Sequence, residues 1–389
     1  MKFSYNWYMR FSQYQKIGGY PTPSEFEKKL DSLGYTIEKK TYLSANDYDI
    51  TKDDISYDIS VPRNRRDLKN MSWVSKEMCG VYHKFFREFA GYWTDGGNKK
   101  QYKDPLLPAS LNVIIKTKKC SLLVGNIVNY VDFNKPEQLE EKVKDRLIGC
   151  GFELKNPLEN SLNYFMRFNG QPIYLFDLNK LKSKNIVALD ADKNGEIVSN
   201  GIVYKYDKGD SILCCEDDVL VVRGILVNDE FTATLDTHAV VILSAVFDRD
   251  DARQAALKYD ISDFRSVLVT TGAIPQTAVG APSGMASMLY SMCDASGIEE
   301  IDLYNKCDMT RTFLTYTADE INEMLDTDFT YEEIKDTFEN PECPTNAIGD
   351  GRINTMLPSY RMDKTVNDIA QSLLVYWGTD RIGRRQHED

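Results

Sequence analysis

The sequence predicts a multi-domain α/β (α+β) protein, and three observations carry that reading. At 389 residues the chain exceeds what one hydrophobic core usually serves, so about two or three domains are expected. Runs with strand-type alternation are interleaved with runs of helical period that begin at side-chain caps. A polar, Gly-bearing stretch without period, residues 88–109, separates the first such group from the rest and reads as a linker. A hydrophobic fraction of 42%, with 17 Phe and 23 Tyr to fill cores, makes wholesale disorder an unsuitable description.

Taken in order, residues 1–87 alternate short strands and helices. Ser24 with Glu27 has the spacing of a capping box, Phe26, Leu30 and Leu33 fall on one helical face, and Gly34 follows as a stop. Ile55, Tyr57, Ile59 and Val61 alternate as a strand over 54–61, and a helix is expected over about 69–83. Residues 110–303 hold β-rich runs at 111–115, 122–130, 218–227 and 240–246, punctuated by helices near 136–150 and 250–259. This predicts a central mixed α/β domain. In the last stretch, 304–389, Thr317 with Glu320 and Thr330 with Glu333 each open a short amphipathic helix in a small α+β module.

Charge and cysteine usage narrow the function classes. A formal charge of −12 excludes a surface that grips nucleic acid everywhere, so any RNA contact must be weak and local. The basic clusters available are Arg63, Arg65 and Arg66; Lys116, Lys118 and Lys119; and Arg381, Arg384 and Arg385. Short runs of this kind ordinarily form solvated faces. Eight cysteines show no Cys-x-x-Cys pair and no His at zinc-ligand spacing, which reads as reduced thiols of a cytoplasmic protein. No apolar run is long enough for a membrane span, and the opening Met-Lys-Phe-Ser-Tyr-Asn-Trp has no signal core.

Common catalytic signatures are missing. Neither a Gly-x-x-x-x-Gly-Lys-Ser/Thr loop nor a Gly-x-Gly-x-x-Gly turn occurs, so the usual phosphate cradles are absent and no cofactor is expected. Only His83, His238 and His387 could act as imidazole bases, and His238 in Thr-Leu-Asp-Thr-His reads as a solvated loop residue. Gly-Ala-Pro-Ser-Gly at 280–284 lacks the strand-to-helix setting of a nucleophile turn.

A specific match emerges at residues 156–177, Asn-Pro-Leu-Glu-Asn-Ser-Leu-Asn-Tyr-Phe-Met-Arg-Phe-Asn-Gly-Gln-Pro-Ile-Tyr-Leu-Phe-Asp. It resembles the Asn-Pro…Asn-Tyr…Gly-Gln-Pro-(apolar)-His-Ala-Phe-Asp segment of the bacterial phenylalanyl-tRNA synthetase β subunit. In that family the segment belongs to the B3/B4 domain, which hydrolyses mischarged tyrosyl-tRNA. Further matches follow in the family's order. The first seven residues look like the β subunit's start, and Val61 to Asp67 resembles its Thr-Pro-Asn-Arg-Pro-Asp turn, with Ser72 to Val81 the helix after it. Asp248 to Asp263 resembles the segment after the editing strand, and Pro358 to Asp363 with Val375 to Gly378 resembles the end of B5. The resemblance implies B1-like residues 1–87, a B3/B4-like domain at 110–303 and a B5-like module at 304–389. The tRNA-binding insert expected after residue 44, and the modules that follow B5, have no counterpart, which is the pattern of a truncated paralogue.

The resemblance also assigns a pocket, at Gln171, Tyr174, Gly224, Leu243, Ser262 and Phe264. Tyr174 stands where the family has His, and a phenol with pKa of about 10 is a poor base at neutral pH. Leu243 stands at the Glu of the family's Leu-Leu-Glu strand, and Phe264 at a small Ala. Gly224 keeps the first glycine of the Gly-Ile-Met-Gly-Gly loop, while Val227 and Asn228 replace the last two. For the B5 magnesium site, Asp363 and Asp368 remain as vestiges, but Gln371 and Ser372 replace its Glu-Glu pair, so no metal is expected. The expectation is therefore a non-catalytic binding or assembly protein with a degenerate editing site and a protein partner. The alternatives are a β-like partner of a separate synthetase α subunit, with weak tRNA or aminoacyl binding, or a trans-acting aminoacyl-tRNA hydrolase.

Overall fold

A computed structural model of the chain describes residues 1–9, 21–61, 69–82, 111–135, 140–299, 301–339, 343–359, 361 and 365–384. Two compact units divide it, one of Met1–Glu88, Ile148–Phe152 and Asp308–Asp389, the other of Phe89–Leu147 and Glu153–Cys307. The linker expected at 88–109, the Arg63, Arg65 and Arg66 turn, Asp363, His83, His387 and Arg385 lie outside the described residues.

The first unit starts with β1 (Lys2–Ser4), α1 (Tyr5–Met9), α2 (Pro23–Ser32), β2 (Thr36–Leu43), α3 (Ala45–Tyr48), β3 (Asp54–Ser60) and α4 (Met71–Val81). β3 is the centre of an antiparallel sheet between β1 and β2. The capping box of α2 is made by Thr22 and Glu25, and not by Ser24 and Glu27. The Thr22 hydroxyl oxygen accepts from the Glu25 N–H at 3.3 Å, and Glu25 Oε2 accepts from the Thr22 N–H at 2.7 Å. Pro23 decides the register, because proline is favoured at the first helical position and the cap must precede it. Glu27, two residues further on, instead accepts from the Tyr57 hydroxyl at 2.9 Å and pairs with Lys40.

In the second unit the chain runs β4 (Asn112–Ile115), β5 (Cys120–Tyr130), α5 (Glu140–Gly149), α6 (Pro157–Asn169), β6 (Tyr174–Asp177), β7 (Asn185–Asp190), β8 (Gly195–Ser199) and β9 (Ile202–Tyr206). It continues with β10 (Ser211–Cys215), β11 (Asp218–Val222), β12 (Leu226–Val227), β13 (Val240–Phe247), α7 (Arg249–Tyr259), α8 (Phe264–Thr271), α9 (Pro275–Met292), β14 (Ser296–Ile298) and β15 (Asp302–Asn305). One sheet has the order β12-β11-β10-β7-β4, another β14-β5-β13-β6 with β15 also on β5, and β8 and β9 form a hairpin. Alternation along β13 sends Val241, Leu243, Ala245 and Phe247 into a core shared with Val113, Ile186, Leu213, Val221 and the other sheet's inward residues. Helix α9 lies against β13 and β5. It buries Ala278, Ala281, Met285, Met288 and Leu289. Gly-Ala-Pro-Ser-Gly at 280–284 thus lies inside a helix, where no nucleophile turn can form.

The strand expected over 218–227 is broken into β11 and β12. Ile225 N–H donates to the Val222 carbonyl at 3.0 Å, with φ of 50° at Arg223 and 73° at Gly224. Positive φ at both central residues is the type I′ geometry that reverses a strand tightly, and glycine fits its second position without strain. Arg223 adopts that conformation against the preference of a residue with a Cβ, and its guanidinium is anchored by Asp251 at 2.8 Å and Asp210 at 3.7 Å.

After the second unit the chain returns to the first with β16 (Thr312–Thr317), α10 (Ala318–Leu325), α11 (Tyr331–Glu339), β17 (Thr345–Ala347), β18 (Arg352–Leu357) and α12 (Val366–Trp377). Both expected capping boxes form: Glu320 and Glu333 N–H groups donate to Thr317 and Thr330, and the carboxylates accept from the threonine amides. Within this unit the Tyr376 hydroxyl of α12 donates to Glu77 of α4, both side chains being buried.

No helix among the described residues is long and apolar enough to cross a membrane. All eight cysteines are free, and seven of them are buried; Cys307 is partly exposed. Burial pushes the Cys79, Cys120 and Cys293 thiols up to about 12 and Cys214 to about 11, so thiolate is scarce there at neutral pH. Titration of the native protein with an aromatic disulfide reagent should therefore label Cys307 rapidly and the rest only after denaturation. Rapid labelling of several thiols in the native state would contradict this packing.

Candidate functional site

Strand pairing brings two of the expected pocket residues side by side. In the antiparallel register of β13 with β6, Leu243 faces Tyr174, and with β5 it faces Gly125. Both side chains have no exposed surface. A Cβ added at Gly125 would lie 2.2 Å from Leu111 Cδ2 and 2.7 Å from Leu243 Cδ2. The two leucines therefore close over a position where only glycine fits. The Leu243 side chain is packed on all the sides these strands present.

Tyr174 reaches from β6 towards the Arg223-Gly224 turn, where its hydroxyl donates to the Gly224 carbonyl at 2.9 Å. Burial holds the phenol above its usual range, and the nearby Arg265 charge only partly offsets that. It is a neutral donor committed to a backbone carbonyl, unsuited to take a proton at neutral pH. Gly224 itself is needed by the turn, since a Cβ there would meet Phe247 Cδ2 at 2.7 Å and Val269 Cγ1 at 3.0 Å as well as face a positive φ.

Gln171 is buried, and its side-chain oxygen accepts from the Ile274 N–H at 3.2 Å. Ile274 is the N-cap of α9 and has no side-chain cap of its own, so Gln171 supplies that function from the end of α6. Ser262 is exposed. Phe264 opens α8 and is half-buried under the Arg167 guanidinium, whose carbon lies 4.3 Å from the ring centroid; it is not part of the core that holds Tyr174 and Leu243. The residue that faces Tyr174 from α8 is the next one, Arg265, with its guanidinium carbon 5.7 Å from the tyrosine ring centroid. Sequence reasoning did not single out Arg265, and an isolated arginine in a helix start offers no pattern by which to find it.

Other residues raised by the sequence have structural employment. Asp368 completes a capping box on α12, its Oδ2 accepting from the Thr365 amide at 2.9 Å and hydroxyl at 2.7 Å. No group of three or more His, Cys, Asp or Glu side chains able to hold a metal ion occurs among the described residues. His238 stacks on Tyr130, with ring centroids 6.2 Å apart. Arg381 is held by Asp328 at 2.7 Å and Glu333 at 2.8 Å and covers the Phe329 and Trp377 rings, while Lys119 donates to the Gly209 carbonyl at 2.7 Å.

Comparison with known proteins follows the same lines. Residues 119–294 match the model of the B3/4 domain. The phenylalanine–tRNA ligase β subunit of Streptococcus thermophilus is 23% identical over 337 residues, covering 85% of this chain and 40% of that protein. That of Dehalococcoides mccartyi is 26% identical over 206 residues, covering 52% of this chain and 24% of that protein. This chain is similar to phenylalanyl-tRNA synthetase β subunits along most of its length. It spans about 40% of the length of the first of these curated relatives. Among solved structures, an N-terminal fragment of the β subunit from Pyrococcus horikoshii aligns with TM-score 0.51 and 17% identity, covering 97% of this chain and 100% of that one. The likeness to that fragment is one of fold.

The packing around this β-subunit-like site yields a stability test. Leu243→Glu would bury a carboxylate against Gly125, Leu111 and Tyr174, and the uncompensated charge should cost on the order of 3–5 kcal/mol. Tyr174→Phe strands the buried Gly224 carbonyl and should cost about 1–3 kcal/mol. Denaturant unfolding of both variants measures this, and a Leu243→Glu protein as stable as the parent would mean that the pocket is open to water.

Proposed function

We propose that this β-subunit-like chain is a non-catalytic binding or assembly protein in which the editing pocket of its relatives has become a packed, structural element. The observation that carries the reading is the Leu243–Tyr174 pair: both side chains are fully buried, and Leu243 is closed over by Leu111 at Gly125. Hydrolysis of an ester needs room for the acyl group, a positioned water and a base. Leu243 offers an alkyl group, and the Tyr174 proton is donated to Gly224. The carboxylate of Asp263, near Tyr174, is committed as the cap of α8, where its Oδ1 accepts from the Ser266 N–H at 2.7 Å.

Similarity over 85% of the chain to β subunits supports a protein partner, with a synthetase α-type subunit as the second reading. In this proposal the B1-like, B3/B4-like and B5-like portions, 1–87, 110–303 and 304–389, act as a recognition framework in the cytoplasm. The formal charge of −12 argues for weak, salt-sensitive tRNA contact at most.

Deacylation is the direct test. The purified chain incubated with tyrosyl-tRNA should release amino acid no faster than buffer does, and should show no ATP–pyrophosphate exchange with phenylalanine. Turnover that Tyr174→Phe abolishes would replace this proposal with trans-editing. Native mass spectrometry of the protein isolated from its source should show a protein, and not a stoichiometric tRNA, in the co-purifying complex.

A further inference from the structure

Three Asn-Gly pairs occur in the chain, at 169–170, 194–195 and 200–201. Such a pair can modify itself, which is one root of the thermal lability of asparagine. The glycine nitrogen, unhindered by a side chain, attacks the asparagine Cγ: the N–Cγ bond forms, the Cγ–Nδ2 bond breaks, and ammonia leaves with the amide proton. Water then opens the cyclic imide at either carbonyl and gives aspartate or isoaspartate. Attack needs a glycine nitrogen released from its hydrogen bond and a peptide free to turn against the side chain.

Two of the pairs are locked into the fold. Gly170 ends α6, and its N–H donates to the Met166 carbonyl at 2.8 Å. At Asn194 the side-chain oxygen accepts from the Lys208 N–H at 2.8 Å, and a Cβ added at Gly195 would overlap the Tyr206 ring, so that backbone is covered. Asn200 and Gly201 differ. Both are exposed and form the two-residue turn between β8 and β9, with φ of 53° and 75°. Apart from its chain neighbours, nothing lies within 4 Å of where a Gly201 Cβ would stand. The contact that holds their amides is the exposed carboxylate of Asp229: Oδ1 accepts from the Asn200 N–H at 2.9 Å and Oδ2 from the Gly201 N–H at 2.7 Å. A charge-assisted, two-pronged grip of this kind keeps the proton on the nucleophilic nitrogen and fixes the peptide plane. The Asp229 N–H in turn donates to the Val198 carbonyl at 2.9 Å, which anchors the latch on β8.

We infer that Asn200 is a self-modification site, deamidating through the Gly201 nitrogen at a rate that the Asp229 latch sets. This chemistry needs neither a partner nor a hydrolytic pocket, so it stands independently of the proposed function. Either product places a second carboxylate beside Asp229. Isoaspartate also adds a carbon to the backbone of a two-residue turn, so the Ser199–Ile202 register that the turn closes is lost. Modification thereby loosens the hairpin that carries the exposed Val198, Ile202 and Val203.

Peptide mapping by mass spectrometry, with isoaspartate detected enzymatically, tests this on the full-length chain incubated at mildly alkaline pH. Among the three pairs, product should accumulate fastest at Asn200, and more slowly there than in a synthetic peptide of residues 196–205. Asp229→Ala should raise the rate at Asn200 roughly tenfold, the loss of one charge-assisted contact. Asp229→Asn, which keeps one acceptor, should fall between, and hydrogen exchange of the Gly201 amide should rise in the same order. Rates at Asn169 and Asn194 should not move; if they rise too, the variant has unfolded, and the comparison of parent with peptide decides. Equal rates in parent and peptide, faster modification at Asn169 or Asn194 in the parent, or a folded Asp229→Ala protein whose Asn200 reacts no faster than the parent's, overturns the inference.

Discussion

A hydrogen bond from the Tyr174 hydroxyl to the Gly224 carbonyl crosses the core of the second unit. Tyr174 belongs to the sheet centred on β13, and Gly224 to the turn that ends β11 in the other sheet. The bond therefore crosses the core between the two sheets, where a polar contact has little water to compete with it. Its acceptor is presented by a turn with two successive left-handed residues, and that turn is braced by the buried Arg223–Asp251 pair. Removing the phenol oxygen would leave a strained turn, a buried carbonyl and a buried arginine all less well supported. Tyr174 is thus integral to the packing of this domain.

Leu243 completes the arrangement from the other side. Its methyls, with those of Leu111, occupy the space above Gly125 that any larger residue would need. A carboxylate at 243 would be buried against Gly125, Leu111 and Tyr174.

Much of the architecture was legible in the sequence, because alternation marks half-buried strands and Thr-x-x-Glu marks helix starts. The helices after Thr317 and Thr330 begin where those residues place them. The α2 register was misread because Ser24 and Glu27 imitate a capping box that Pro23 shifts back to Thr22. The 218–227 strand was read as continuous because apolar residues on either side of Arg223-Gly224 hide a turn whose second residue alone is glycine. Helices α8 and α9 went unannounced: α9 carries Gly280, Pro282 and Gly284, poor helix formers, and it forms because burial of its alanines and methionines outweighs their propensity. In the candidate site, Tyr174, Gly224 and Leu243 were singled out through the resemblance of their segments to a family; strand register pairs Tyr174 with Leu243, and the Tyr174 hydroxyl reaches the Gly224 carbonyl.

The central claim is that the space an aminoacyl group would enter is filled by Leu243 and Tyr174. The most direct measurement is the binding of a non-hydrolysable 3′-tyrosylamino-adenosine to the full-length protein, followed by the methyl resonances of Leu243 and Leu111. With the space filled, these methyl resonances should stay in place through the titration. Saturable displacement of the Leu243 methyls at micromolar ligand would show that the pocket opens to an aminoacyl-adenosine, and would contradict it.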